Sequence, residues 1–360
     1  MKGPYFSILL PTKNRATILG DAIRSVLAQT FGDFELIVSD NDDSFTATRD
    51  VVAQFTDPRI VYVRTSGKLP MHENWDTAFS HATGRQVLVL EDKMRLVVNA
   101  LSILHDKVES EGVPVSFPVA YTKDSTYPAA PASPKGRRWK STEIVDGFVK
   151  FRSTSFDLIP KGLDCCVPRQ LLIRIKAESP TGFLFSYICP DYAFGFMVLS
   201  RVDEVFHLEV PMNYIPNNWM WVSKFSNGLA TYRKDDQLRR FMQELPVSAE
   251  QIMERVPVKV FSIWINMVLY DFFTKYSRPD HRPKVDWAAY HAFVMTLILL
   301  GKKLKADMTQ ERTAVLASLR GQSWLFRLQV FIKFSGQMLL NLKRVAKGRF
   351  AAYRQQRANV

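Results

Sequence analysis

With 360 residues the chain can bury a full core and a second, smaller unit, and an apolar fraction of 47% excludes wholesale disorder. Of the net charge of +13, +11 sits from Gly301 onward, where 13 Lys and Arg stand against Asp307 and Glu311, which leaves +2 for the first 300 residues. A near-neutral globular part with a basic tail is a different object from a basic nucleic-acid binder, so nucleic acid is not expected as a partner. Three cysteines, two of them adjacent (Cys165, Cys166) and one at Cys189, exclude a disulfide framework and metal-ligand spacing. The apolar run before Lys13 is too short for a signal peptide or a spanning helix, so a cytoplasmic protein is expected.

Taken in order, FSILLP (Phe6 to Pro11) reads as a buried strand. An amphipathic helix is expected from about Ala16 to Gln29, where Ile18, Leu19, Ala22, Ile23, Val26 and Leu27 recur at helical spacing, with Asn14 as its N-cap. A second strand, Phe34 to Ser39, ends in Asp40, Asn41, Asp42 and Asp43. A polar helix over Ser44 to Phe55, a strand RIVYVR and a short helix Asn74 to Ala82 follow. QVLVLEDKMRL, Gln86 to Leu96, reads as a buried strand that carries Glu91 and Asp92 at its end. Strand and helix alternating at these lengths predict an α/β fold with a mostly parallel central sheet flanked by helices. In such sheets ligands bind outside the carboxyl ends of the strands, which is where these acids stand.

Beyond Leu96 the pattern gives a helix over VVNALSILHDKVESE and a strand over VSFPVAY. A long Pro/Ser/Ala-rich loop, Tyr121 to Ser141, carries a basic knot at Lys135, Arg137, Arg138 and Lys140, and reads as either a lid or a surface insertion. Asp191 follows Pro190 at the start of an apolar helix, and HLEVPMNYIP reads as one further strand. Trp219 and Trp221 are candidates to stack on a sugar ring or to pack internally. From about Ala230 only helices are expected. Ser248 and Gln251 form a capping box before a helix Ile252 to Tyr276 that Pro257 would kink.

FSILLPTKNRATILGDAIRSVLAQTFGDFELIVSDND and the following N-W and A-x-G signals of DPRIVYVRTSGKLPMHENWDTAFSHATGRQVLVLED resemble the family 2 glycosyltransferases of the GT-A fold, densely over residues 5 to 96 and more thinly to about 230. The resemblance implies a catalytic unit over 1–229, with a nucleotide-binding half 1–96 and an acceptor half 97–229, followed by a helical C-terminal region 230–360. It implies a nucleotide-sugar donor, with a UDP-sugar the first expectation, and inversion at the anomeric carbon. Pro11, Thr12, Arg15 and Asp40 are expected around the base and ribose, and Lys68 near the diphosphate. A carboxylate that accepts from a base N–H and a helix N-terminus aimed at phosphate agree with those roles. Asn41, Asp42 and Asp43 are read as turn and cap chemistry. The resemblance also implies Asp191 as the general base toward the acceptor hydroxyl; a first-turn acid on a helix dipole is the alternative.

The family's acidic motif binds Mn²⁺ or Mg²⁺ at the leaving diphosphate, and here its positions read Glu91, Asp92, Lys93. Asp92 and Glu91 are the expected metal ligands. A weakened metal dependence is expected if the Lys93 ammonium takes part of the cation's role, and a normal one if Lys93 points to solvent. Glycan or lipid-linked acceptors in surface-polysaccharide assembly follow from the resemblance; a catalytically impaired scaffold in a glycan-assembly complex is the alternative. A nucleotidyltransferase is disfavoured because PTKNR lacks a glycine-rich phosphate loop. The last helix gathers Trp324, Leu328, Phe331, Met338, Leu339, Leu342 and Val345 on one side and Gln329, Lys333, Lys343, Arg344 and Lys347 on the other. That pattern predicts an interfacial helix on an anionic membrane, peripheral on its inner face, and leaves open packing on the globular part or on a second copy in a homo-oligomer.

Overall fold

The structure, a computed structural model, describes residues 3–340 apart from 45, 123–127, 186–187, 217–230, 232–233, 235 and 246. Trp219, Trp221, Leu342 and Val345 therefore lie outside the described residues, as do Lys343, Arg344, Lys347 and the expected boundary between 229 and 230.

Strand β1 (Phe6–Thr12) is buried along its whole length, since both faces of the sheet are covered. Its side chains alternate between two cores with the period of two that a strand imposes. Phe6, Ile8 and Leu10 pack with α1 (Ala16–Leu27), while Leu9 faces the opposite side. Parallel to β1 run β2 (Phe34–Asp40) and, beyond β2, β3 (Ile60–Arg64), reached through α2 (Ala47–Val52). After α3 (Met71–Ser80) the chain returns as β4 (Gln86–Val89) on the other side of β1, again parallel. The strand stops at Val89, shorter than expected, and Leu90 keeps one bond to the Leu9 carbonyl at 2.8 Å. Arg95–Leu96 then forms β5 in a second sheet.

The remaining elements are α4 (Ala100–Glu111), β6 (Val115–Ser116), β7 (Val119–Thr122), β8 (Gly136–Lys140), α5 (Ser141–Val149) and α6 (Ser153–Leu158). They are followed by β9 (Cys165–Pro168), α7 (Arg169–Glu178), α8 (Pro190–Leu199), β10 (Glu204–Leu208) and β11 (Asn213–Pro216). The main sheet has the order β3-β2-β1-β4-β9-β6-β10-β8, and β5-β11-β7 forms the small one. The expected parallel α/β sheet is present. Its far half is mixed, because β9 runs antiparallel to both β4 and β6.

Several expectations are corrected. Asn14 does not cap α1; the N-cap is Arg15, and Asn14 adopts φ 56° and instead bonds Asp42 and Asp43. HLEVPMNYIP makes two strands in two sheets, since Pro211 lies between β10 and β11. Pro257 ends a helix rather than kinking one: Ala249–Met253, with the expected Ser248–Gln251 capping box, stops well before Trp264–Lys275 begins. The basic knot is neither lid nor floppy insertion, for Gly136–Lys140 is an edge strand paired antiparallel to β10. There Arg138 bonds Glu111 and Glu204 at 3.0 and 3.2 Å, and Arg137 stacks on Trp139 at 3.3 Å.

A third core joins α5, α6 and α8 to the helices Trp264–Lys275 and Trp287–Lys303, with Phe148, Phe196, Phe272 and Tyr290 among its buried rings. Among the described residues no helix is long and apolar enough to cross a membrane.

Candidate active site

The family-like signals of the first hundred residues turn out to be clamps that hold strand ends together. Asn74 accepts from Ser39 Oγ at 2.7 Å and donates to the Thr12 carbonyl at 3.3 Å, which joins the tips of β2 and β1. Gly84 packs where a Cβ would lie 2.6 Å from the Ser7 amide nitrogen, so no other residue fits there. Gln29 bridges the Val97 carbonyl and the Leu101 amide, at 2.8 and 3.0 Å, and fixes the stretch after the acid pair. Asn41 clamps the loop before α3 by accepting from Thr65 Oγ1 and Leu69 N–H. That loop presents Lys68 exposed, in a left-handed conformation with φ 57° next to Gly67 at 88°.

At the ends of β1 and β4, Thr12 and Arg15 converge on Asp92. The Thr12 hydroxyl donates to Oδ2 and the Arg15 guanidinium to Oδ1, both at 2.9 Å, with Asp92 only 2% exposed. Burial works against the Arg15 charge, but Asp92 and Glu91 outweigh it and raise its pKa. Glu91 is paired in turn with Lys93, N to O 2.6 Å. Each expected metal ligand thus already carries a protein cation, and among the described residues no cluster of three His, Cys, Asp or Glu side chains could hold a metal. This donor set, as placed, does not fit a divalent cation. Lys93 points not to solvent but onto Glu91, where it is 16% exposed.

Asp40, expected beside the base and ribose, is fully buried, and its carboxylate accepts from Tyr62 Oη at 2.6 Å, Arg64 at 2.8 Å and the Asp42 amide at 2.9 Å, which braces β2 against β3. Asp42 and Asp43 do the turn work expected of them, through Asn14 and Thr48.

Asp191 sits in the first turn of α8 behind Pro190. Burial raises its carboxyl above the usual range; Lys161 and the Tyr192 amide pull it back, and Glu91 pushes it further up. Lys161 and Asp164 were not singled out from the sequence. The Lys161 ammonium pairs with Asp164 at 2.9 Å, donates to the Phe156 carbonyl at 2.9 Å and lies 5.4 Å from the Tyr192 ring centre. Burial pushes Asp164 up to about 7 against the pull of Lys161. The Tyr121 hydroxyl on β7 is within electrostatic reach of Lys161, Lys93, Glu91 and Asp164. The Glu91–Lys93 pair and the Lys161–Asp164–Asp191 group are therefore within electrostatic reach of one another. His207 is satisfied locally by Ser116 Oγ at 2.9 Å, and burial and Lys161 lower its pKa to about 4.

A carboxylate kept basic within electrostatic reach of paired charges suits proton removal beside a polyanionic leaving group. The sequence profile described as "Glycosyl transferase family 2" matches residues 7–161. Residues 7–161 belong to glycosyl transferase family 2. The family 2 segment holds β1, the acid pair and Lys161, and Asp191 lies beyond it. A Campylobacter jejuni relative, GalNAc(5)-diNAcBac-PP-undecaprenol beta-1,3-glucosyltransferase, is 38% identical over 107 residues, which is 29% of this chain and 34% of the relative. The Escherichia coli protein UDP-Glc:alpha-D-GlcNAc-diphosphoundecaprenol beta-1,3-glucosyltransferase WfgD is 33% identical over 97 residues, 27% of this chain and 38% of its own length. The chain thus spans about a third of these relatives. The crystal structure of S. aureus TarS 1-349 in complex with UDP-GlcNAc superposes with a TM-score of 0.50 at 13% identity, covering 89% of this chain and 93% of that one, so the two share a fold.

Proposed function

We propose that this chain is an inverting glycosyltransferase that moves a sugar from a nucleotide donor, a UDP-sugar, to a glycan or lipid-linked acceptor in cell-surface polysaccharide synthesis, working peripherally at the inner face of a membrane. The observation that supports the reading is that Asp191 lies within electrostatic reach of Glu91, the acid next to Asp92 at the end of β4. The relatives' names favour acceptors on undecaprenyl diphosphate and a UDP-linked donor.

Asp191 takes the proton of the acceptor hydroxyl as that oxygen attacks the anomeric carbon, and the bond to the nucleoside diphosphate breaks on the opposite face. Its raised pKa makes it the stronger base. Pro11, Thr12 and Arg15 border the donor's nucleoside, and the exposed Lys68 reaches toward the diphosphate. Family 2 enzymes commonly use a divalent cation for the departing charge, but Arg15 and Lys93 occupy the acids that would bind it here. We therefore expect nucleotide binding with little dependence on Mn²⁺ or Mg²⁺.

Calorimetric titration with UDP and with GDP, each with Mn²⁺, with Mg²⁺ and with EDTA, tests both points. UDP binding that survives EDTA and weakens in Lys93→Ala supports the reading. Binding that requires a metal would mean that the cation displaces Arg15 from Asp92. No binding of either nucleotide, together with no turnover of a UDP-sugar, would favour the scaffold alternative.

A further inference from the structure

Helices on a globular surface normally turn their apolar side inward and their polar side to water. The helix spanning residues 324–340 does the reverse. Its inward side is held by mixed contacts: Val330 is buried, Phe326 stands edge-on to His291 at 5.5 Å, Gln337 accepts from Thr296 Oγ1 at 3.0 Å, and Lys333 pairs with Asp286 at 2.9 Å. Lys333, expected on a free basic side, is thus docked against the N-cap residue of the Trp287–Lys303 helix. The outward side is large and apolar: Trp324, Leu325, Leu328, Phe331, Ile332 and Leu339 are between 44 and 71% exposed. At 100° per residue these six fall within an arc of about 120°, opposite the docked side.

A stripe of this kind marks an interaction surface rather than a stray exposed residue. Charge decides the partner. No Asp or Glu occurs after Glu311, whereas ten Lys and Arg do, eight of them from Gly321 onward. A second copy of this chain would bring the same positive charge to the contact, and an apolar protein groove would not require it. An anionic lipid surface matches both features, and among the described residues the helix is not long and apolar enough to cross it.

We propose that the Trp324-to-Leu339 face docks the protein on an anionic lipid surface, with Trp324, Leu328 and Phe331 entering at headgroup level and the net positive charge of the sequence after Glu311 favouring the anionic lipid. The docking extends the membrane location given above but does not depend on catalysis. The globular part then stays on the aqueous side, hinged on the Lys333–Asp286 and Gln337–Thr296 contacts.

The test is flotation of the full chain with vesicles of phosphatidylglycerol and phosphatidylcholine, beside vesicles of phosphatidylcholine alone. The wild type floats with the anionic vesicles and at least tenfold less with the neutral ones, and 1 M salt releases it. Phe331→Glu and Leu328→Glu each weaken binding by about tenfold, as expected when a large apolar side chain no longer leaves water. Both retain nucleotide binding, which reports that they are folded. Hydrogen exchange on the unaltered chain is the second measurement: residues 324–340 gain protection on addition of anionic vesicles. Unchanged exchange, equal flotation with both vesicle types, or Phe331→Glu floating like the wild type would each overturn the proposal. A stable oligomer in sedimentation that Phe331→Glu dissolves would assign the face to a second copy instead. Flotation without UDP-sugar turnover would leave the docking standing and remove the enzymatic reading.

Discussion

The carboxylates at the ends of β1 and β4 and those beside Lys161 are managed differently. At the ends of β1 and β4 each acid has its own close cation, Arg15 on Asp92 and Lys93 on Glu91. At the start of α8 a single cation, Lys161, serves both Asp164 and Asp191, and burial raises both carboxyls. Neutralised charge suits a site that receives a polyanion without changing protonation; shared charge suits a site where a proton must be taken up and released. Breaking either pattern should have a distinct signature.

The largest effect is expected from Asp191→Asn, which removes the base while keeping its shape: kcat falls by about 10²- to 10⁴-fold, with nucleotide affinity by calorimetry unchanged. Retention of activity would return Asp191 to a helix-capping role. Arg15→Met comes next. It leaves the buried Asp92 without its cation, at a cost of about 3 kcal/mol in urea unfolding, weakens UDP binding in EDTA, and lets added Mn²⁺ restore affinity at the freed carboxylate. Unchanged binding in EDTA would show that Arg15 contributes nothing to the nucleotide site.

The subtlest is Lys161→Met. Because the base must be ionised, activity is lost as pH falls through its pKa. Lys161 lowers that raised pKa, so its removal should move the acid limb of the kcat/KM profile to higher pH, with the rate at the alkaline plateau retained. Lys161→Arg should restore the wild-type limb. A uniform fall in rate at every pH would mark a merely structural lysine.

How much of this was legible in the sequence depends on whether a residue's role is local. The first strands announce themselves because Phe6, Ile8 and Leu10 and then Leu9 must fill two cores with a period of two. The acid-tipped ends of β2 and β4 were legible for the same reason. The use of the acids was not: Asp40 looks equally free in the sequence, and only the register that sets it beside Arg64 and near Tyr62 shows it is taken. Strands β8 and β9 escaped notice because they are short and held by partners far along the chain, such as Glu204 on Arg138. Lys161 caps and Asp164 ends a single turn, Gly162–Asp164, too short for any periodic signal. A charged pair three residues apart, next to a strand rich in cysteine, was nonetheless a hint. The inside-out placement of residues 324–340 could not be read from a helical wheel, which shows that two sides differ but not which one meets the domain.

Asp271, in the middle of the Trp264–Lys275 helix, accepts the backbone N–H of Cys189 at 2.7 Å, at the N-cap of the helix that carries Asp191. Residues outside the matched segment thus set where the proposed base stands, and the same helix shares its core with α5, α6 and α8. A shortened chain that ends soon after β11 would keep β1, β2 and the acid pair after β4 and yet uncover Phe148, Phe196 and Leu199 to water, which would favour aggregation. Any minimal fragment made for crystallisation or for swapping acceptor halves between relatives should keep the chain through Arg320.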